Sequence, residues 1–425
     1  MSIQDPIHGR IDVSAQELAL IETSAFQRLR SIKQLGFSDI AFPGATHTRF
    51  SHSLGAMQMA TRMIDGILPA LDLSPVDAQR IRQMVRLAVL FHDLGHSPLS
   101  HVGERMMPPV QSLHLEKWIG NSPRQAAHED YTVKMLVDSE LTQMIDLNFG
   151  DDGITGGLLA TLVLGHGSQK RAVHEPALQA GGISILPLLH QIVSGEVDAD
   201  RMDYLRRDSY YCGVPYGQFD DDWLTRNLTA VVSDEGWTLA LRHRGIWAFE
   251  NFLLARYHMF LSVYFHHVVV AYDDLLVRYV ESAGDVWPSD IDAYVLEDDY
   301  TMTSRLRCSK NPWAQRLVAR KPFVMLLESH GRDAVDEHAA WLQLLQNEGV
   351  ACFASQSLGA LTRYQSIEGV PLRVVEPEIG RQSRIEDYTP LYRRFDEAAD
   401  ISRIYCEPDV LDKARRLLKM NSDRP

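Results

Sequence analysis

Apolar residues recur at three- and four-residue intervals through most of the first two thirds of the chain, so this region is predicted to be helical. Ser14 and Glu17 form a capping-box pattern ahead of Leu18 and Ile21. Phe26, Leu29 and Ile32 continue the helical spacing, and Gly36 reads as the end of that run. A further helix is predicted from His52 to about Leu68, stopped by Pro69. Ser74-Pro75-Val76-Asp77 supplies an N-cap serine, a proline in the first turn and an acidic residue behind it. From there Ile81, Met84, Val85, Ala88 and Phe91 mark one face, and Gly95 is a natural stop. Residues 150–182, with two Gly-Gly pairs, read as loops around a short helix. Ile183 to Arg207 reads as a helix that Pro187 bends or delays. Trp237 to Leu241 reads as part of a hairpin, and 246–282 as a long helix.

The last third changes period. Strands are predicted at 321–328, 350–354 and 371–375, with a helix at 336–346 between the first two and a frayed tail at 422–425. The expected fold class is therefore mainly α: a helical core over residues 1–285 and a smaller C-terminal α+β subdomain over 286–425.

Charge narrows the function. The formal net charge of −14 disfavours sequence-blind binding to long nucleic acid, whose affinity comes from neutralising phosphates. A local basic pocket for a small polyphosphate is compatible with it. The four cysteines are far apart and make no C-x-x-C, which fits reduced thiols. The first residues lack the basic-then-apolar layout of a signal peptide, and no apolar stretch reaches membrane-spanning length, so a soluble cytoplasmic protein is expected.

Candidate chemistry centres on His92-Asp93, which ends the apolar run Leu87 to Phe91 and is followed by His96 and His101. Polar side chains at the end of a core helix need partners, and a His/Asp set without thiolate suits a divalent first-row metal: Mn, Fe, Co, Ni or Zn. His52 and the acidic stretch from Glu196 to Asp203 are further ligand candidates, and spacing alone does not choose among Asp198, Asp200 and Asp203. Asp200, Tyr204 and Asp208 share one helix face, as do Arg256, Phe260 and Tyr264. A buried guanidinium on such a face calls for an anion.

Six blocks carry a family resemblance: Asp5-Pro6-Ile7-His8-Gly9; Phe26-Gln27-Arg28-Leu29-Arg30 with Lys33-Gln34-Leu35-Gly36; Phe42-Pro43-Gly44-Ala45; Arg49-Phe50-Ser51-His52-Ser53-Leu54-Gly55; His92-Asp93-Leu94-Gly95-His96-Ser97-Pro98-Leu99-Ser100-His101; and Asp200-Arg201-Met202-Asp203-Tyr204. Over roughly residues 3–280 the chain resembles the HD-domain deoxynucleoside triphosphate triphosphohydrolases, which include bacterial dGTPase-like enzymes and the animal SAM-and-HD-domain dNTPases. With no sign of a SAM domain ahead of these blocks, it resembles the compact bacterial members.

The resemblance implies an HD-domain catalytic core over 1–285; the α+β region over 286–425, outside the resemblance, is expected to serve regulation or oligomerisation. It implies metal ligation by His52, His92, Asp93 and Asp200, and catalytic work by His128 with His96, His101 and Glu104. Glu104 stands where family members can hold Asp. Substrate contacts carry over to Gln34, Leu35, Arg49, Arg201, Tyr204, Asp208, Arg256 and Tyr264. Arg201 replaces a lysine of some members, and Phe260 replaces a histidine of the animal enzymes. Glu22, Gln27 and Arg30 resemble a guanine-sensing allosteric set, with Glu22 in place of Asp.

The implied reaction is metal-dependent hydrolysis of a dNTP to deoxynucleoside and inorganic triphosphate, with Mg accompanying the triphosphate. The implied partners are a nucleotide activator and further copies of the chain, as dimer, tetramer or hexamer. The alternatives are an HD phosphohydrolase, phosphodiesterase or nuclease acting on another nucleotide, and a nucleotide-sensing module without turnover.

Overall fold

The computed structural model describes the chain except for residues 122, 332–333, 360–371, 377, 379, 390–398 and 421–425. The tail at 422–425 and the first residue of the strand expected at 371–375 thus lie outside the described residues. The molecule is mainly α. Helices Arg49–Ile67 and Pro75–Phe91 pack along each other, Ala199–Cys212 packs on the first, and Gly156–Leu164 and Leu186–Val193 close the bundle. Met57, Ala60, Ile64, Val85, Leu87 and Leu189 are fully buried there, a shared apolar interior that holds the bundle together.

The local start signals work as physical chemistry requires. Ser14 Oγ accepts from Glu17 N at 3.0 Å, and Glu17 Oε2 accepts from Ser14 N at 2.9 Å. Ser74 accepts from Asp77 N at 3.1 Å at the head of Pro75–Phe91.

Three predicted helical runs are interrupted. Phe26 to Gly36 holds one helical turn, Ser24–Gln27, and then a 3-10 turn, Arg28–Ser31. Gly36 does not end a helix: at φ +50° it opens the next 3-10 turn, and an added Cβ would lie 3.0 Å from Leu99 O. The 183–207 run splits into Leu186–Val193 and Ala199–Cys212, with Pro187 in the first turn of one and Asp198 capping the other. The 246–282 run splits into Ile246–Met259 and His267–Ala283 around a π turn, Phe260–Tyr264. His266 caps the second piece, and the bend is 61°. No single described helix is long and apolar enough to cross a membrane.

The C-terminal third is α+β. The antiparallel strands Val324–His330, Ala399–Cys406 and Cys352–Gly359 lie side by side in that order, and Leu345, Val350, Ile404, Cys406 and Ala414 form a small separate core. Strand Arg373–Glu376 instead joins the hairpin Leu228–Ser233/Gly236–Arg242, pairing in parallel with its second strand. Trp287, Ile291 and Tyr294, just beyond the boundary expected at 285, belong to the main hydrophobic core.

Candidate functional site

His92 follows directly on helix Pro75–Phe91 as its C-cap, so the helix end presents His92 and Asp93 together. The His92 Nδ1–H donates to Val89 O at 2.6 Å, leaving Nε2 as a lone pair. His52, in the first turn of Arg49–Ile67, makes the matching arrangement: its Nδ1 donates to Asp203 Oδ2 at 2.8 Å. The two Nε2 atoms are buried without a hydrogen-bond partner. Asp200 Oδ1 lies 3.1 Å from His52 Nε2 and 3.5 Å from His92 Nε2. Asp93 places Oδ2 at 3.6 Å from His52 Nε2 and Oδ1 at 3.4 Å from His92 Nε2. Ligands about 2.0–2.2 Å from a first-row ion stand roughly 3.0–3.6 Å apart, so this donor set fits one divalent metal.

The electrostatics agree. Burial pushes both imidazoles down, but Asp200 and Asp203 around His52, and Asp93 and Asp200 beside His92, override it and hold them at about 10 and about 9. The same field favours a cation in place of those protons. Arg49 pairs with Asp93 from the other side.

The three acids that spacing left open have separate tasks. Asp198 caps its own helix, accepting from Arg201 N at 2.7 Å. Asp203 is wholly buried behind His52, and Asp200 alone enters the cluster.

A second group of imidazoles gathers around Glu104. Its Oε1 lies 2.8 Å from His101 Nδ1 and 2.9 Å from His128 Nδ1, with His96 Nδ1 at 3.7 Å. The His96 and His128 rings stack at 3.7 Å. Burial, with Arg49 and His128 nearby, pushes His96 well below its ordinary value. His128 moves the other way: burial lowers it, but the Glu104 hydrogen bond and the charges of Glu129 and Glu104 raise it. Burial would lift Glu104, yet its bonds with His101 and His128 hold it well below the carboxylate range. Adjacent imidazoles with opposite shifts have the electrostatic arrangement that acid–base chemistry requires.

The loop carrying this group is held from outside the bundle. Leu99 and Ser100 both have positive φ, 61° and 59°. Asp299 accepts from Leu99 N at 2.8 Å and from Lys33 N at 2.9 Å, fixing that strained turn. Tyr294 donates to Gly95 O at 2.9 Å and Trp287 to Gly103 O at 2.8 Å.

Both groups open onto one cavity of about 450 Å³. All eight residues expected to contact substrate line it: Gln34, Leu35, Arg49, Arg201, Tyr204, Asp208, Arg256 and Tyr264. So do His92, Asp93, Asp200, His96, His101 and His128, with His52 and Glu104 behind them. Arg201 and Arg256 are buried close together; burial and the Arg201 charge both lower Arg256. Asp198 lies 3.4 Å from Arg201 and Glu196 3.8 Å from Arg256, so an incoming anion would join guanidiniums that are already partly compensated. Asp208 accepts from Tyr264 at 2.8 Å, and its other oxygen lies 2.8 Å from His47 Nε2. Gln34 Oε1 is buried without a hydrogen-bond partner.

Sequence reasoning missed His47, which belongs to the segment between two quoted blocks, and Asp203 and His8 as partners behind the cluster. It also missed Val163, Val193, Ser194 and Glu129 in the lining, for which the unrecognised break between helices hid the signal at 193–194. Glu22, Gln27 and Arg30 lie outside the cavity. Glu22 and Arg30 are exposed, Arg30 Nε donates to Gln27 Oε1 at 2.8 Å, and the Arg30 guanidinium covers the Phe50 ring.

Comparisons with known proteins follow the same lines. The HD domain matches residues 49–208, and the HD associated region matches 219–339, spanning the boundary expected at 285. The chain is 32% identical over 285 residues to the uncharacterized protein YwfO of Bacillus subtilis, covering 66% of this chain and 55% of that one. It is 31% identical over 277 residues to the deoxynucleoside triphosphate triphosphohydrolase SAMHD1 homolog of Dictyostelium discoideum, covering 63% and 46%. The chain thus spans about half the length of these curated relatives. Among solved structures, a hypothetical protein from Aquifex aeolicus superposes with a TM-score of 0.77 at 29% identity, covering 98% of this chain and 99% of that one. A phosphohydrolase from Bacteroides thetaiotaomicron shares the fold, with a TM-score of 0.66 at 24% identity, covering 96% and 99%. The chain therefore belongs to the HD-domain family, with the HD domain and its associated region in succession.

Proposed function

We propose that this protein hydrolyses deoxynucleoside triphosphates to deoxynucleoside and inorganic triphosphate. One observation carries the reading: a single cavity joins a His/Asp metal cluster, an imidazole pair with opposite pKa shifts and two crowded arginines. The similarity to the SAMHD1 relatives supports the substrate class.

His52, His92, Asp93 and Asp200 would hold a divalent ion, which would supply Lewis-acid polarisation of a phosphate and of the attacking water. His96, whose neutral form burial favours, is suited to accept the proton of the attacking water; His128, whose protonated form Glu104 and Glu129 favour, and His101 are placed to supply one to the leaving 5′ oxygen. The bond from the α-phosphorus to that oxygen breaks, and the triphosphate leaves intact. Arg201 and Arg256 pair with phosphate oxygens, and Arg49 adds charge while holding Asp93. Asp208, already accepting from Tyr264, accepts from a sugar hydroxyl, and Tyr204, Gln34 and Leu35 pack around the sugar. Glu22, Gln27 and Arg30 form the surface set that an activating nucleotide would meet in an oligomer.

The test is product identification. Metal-loaded protein is incubated with each dNTP, each NTP and short single-stranded DNA, with and without GTP or a second dNTP. Free deoxynucleoside with inorganic triphosphate is the expected outcome. Pyrophosphate with a nucleoside monophosphate, or shortened DNA, overturns it.

A further inference from the structure

We infer that the turn of the N-terminal hairpin is a clasp on the metal centre, in which His8 is a positioning residue acting through Asp203 on His52. The inference rests on the reading of His52, His92, Asp93 and Asp200 as metal ligands.

Strands Ser2–Asp5 and Gly9–Asp12 pair with each other, and the turn between them reaches the back of the site. His8 Nε2 lies 2.6 Å from Asp203 Oδ1, a residue 195 positions away in the chain, with the two side chains 2% and 0% exposed. The same carboxylate meets His52 Nδ1 through Oδ2 at 2.8 Å. Arg207 grips both oxygens, Nε to Oδ2 at 2.8 Å and Nη2 to Oδ1 at 2.9 Å. The remaining arm of Arg207 donates to Asp5 Oδ2 at 2.9 Å, and Asp5 Oδ1 accepts from the backbone of Ile7 and His8.

This arrangement fixes which nitrogens carry protons. A carboxylate held in an arginine fork is ionised and only accepts, so both imidazoles must donate to it. His52 then carries its proton on Nδ1 and presents a bare Nε2 lone pair to the ligand cluster. His8 supplies one of four donors that hold Asp203 at the position and tilt His52 requires. The fit is close: at Gly55, a turn beyond His52, an added Cβ would lie 2.1 Å from both Arg207 Nη2 and Asp203 Oδ1. A buried ion network that merely fastened the hairpin to the bundle would leave metal affinity unaffected in folded protein. The clasp predicts that it does not.

The test uses Co(II), whose visible absorption reports coordination, titrated into metal-free full-length protein against a chelator, with folding checked by far-ultraviolet circular dichroism. His8→Phe keeps a ring and removes the donor; His8→Gln keeps a donor. We expect His8→Phe to lose about 10–100-fold in Co(II) affinity with an altered visible band, and His8→Gln to retain most of the wild-type affinity. Folded His8→Phe protein with wild-type affinity and spectrum overturns the clasp. Should His8→Phe fail to fold, His8→Leu carries the comparison. Failure of both to fold while His8→Gln folds and binds normally shows a structural role and also overturns it. Wild-type protein that takes up no Co(II), or Asp200→Ala protein that binds it normally, overturns the metal reading and the clasp with it.

Discussion

On one side of the cavity, His52 and His92 each have the far ring nitrogen tied, to Asp203 and to Val89 O, and each points a bare Nε2 at a shared carboxylate, Asp200. On the other, His96, His101 and His128 crowd a single oxygen of Glu104, and His101 is 73% exposed in its side chain. The first side gives each imidazole a partner of its own and so fixes geometry, as a ligand set requires. The second makes three imidazoles share one charge, so protonation of one disfavours protonation of its neighbour. Similar residue types thus serve opposite ends, and the difference lies in the number of carboxylates per imidazole.

The largest expected effect comes from breaking the ligand side. Asp200→Ala should abolish metal uptake and turnover while leaving thermal unfolding of the metal-free protein close to wild type. Elemental analysis and a triphosphate-release assay check this, and an active, metal-replete variant would show that Asp200 is not a ligand.

Breaking the other side should separate the two functions. His128→Asn is expected to lower kcat by about 10²–10⁴-fold with metal content unchanged. Loss of metal in that variant would erase the distinction between the two sides.

Glu104→Gln sharpens the comparison through pH. Glu104 helps raise His128 above its ordinary value, and the proposed mechanism uses His128 as an acid. Activity is therefore lost as pH rises through the His128 pKa, and removing the Glu104 charge should move this alkaline limb of kcat/KM to lower pH. Each unit by which the limb moves equals one unit of His128 pKa, and an unmoved limb assigns the acid to another group.

The smallest effect on turnover is expected at a buried ion pair away from both sides. Glu17 accepts from Arg86 at 2.7 and 3.0 Å. Burial would raise Glu17, but the Arg86 bonds and charge win and lower it. A carboxyl lowered on folding contributes stability fully above its unfolded value near 4.5, and the contribution is lost as pH falls through the folded value. Glu17→Gln should cost roughly 1–3 kcal/mol at neutral pH and flatten the acid limb of stability against pH, leaving kcat near wild type. Denaturant melts between pH 7 and pH 3 read this directly.

Much of this organisation was legible in the chain. Ser14 with Glu17, and Ser74 with Asp77, mark helix starts because the bonds that define them span only three residues. Asp200, Tyr204 and Asp208 share a face because helical period alone sets it, and all three line the cavity. The motif blocks, through their family resemblance, gathered His52, His92, Asp93 and Asp200 before any geometry was known.

Tertiary structure decided the rest. Asp198, Asp200 and Asp203 are alike in sequence, yet one caps a helix, one enters the ligand cluster and one stands behind His52, because different elements lie opposite each. The break at 194–198 carries its own local signals, Ser194-Gly195 and the capping Asp198, whereas the π turn at Phe260–Tyr264 falls in an apolar run that holds no Gly or Pro to announce it. His8, His47 and Asp299 gain their roles from contacts 161 to 266 residues distant in the chain. Sequence spacing fixes where a side chain points around its own axis; which charge waits there depends on how the distant segments pack.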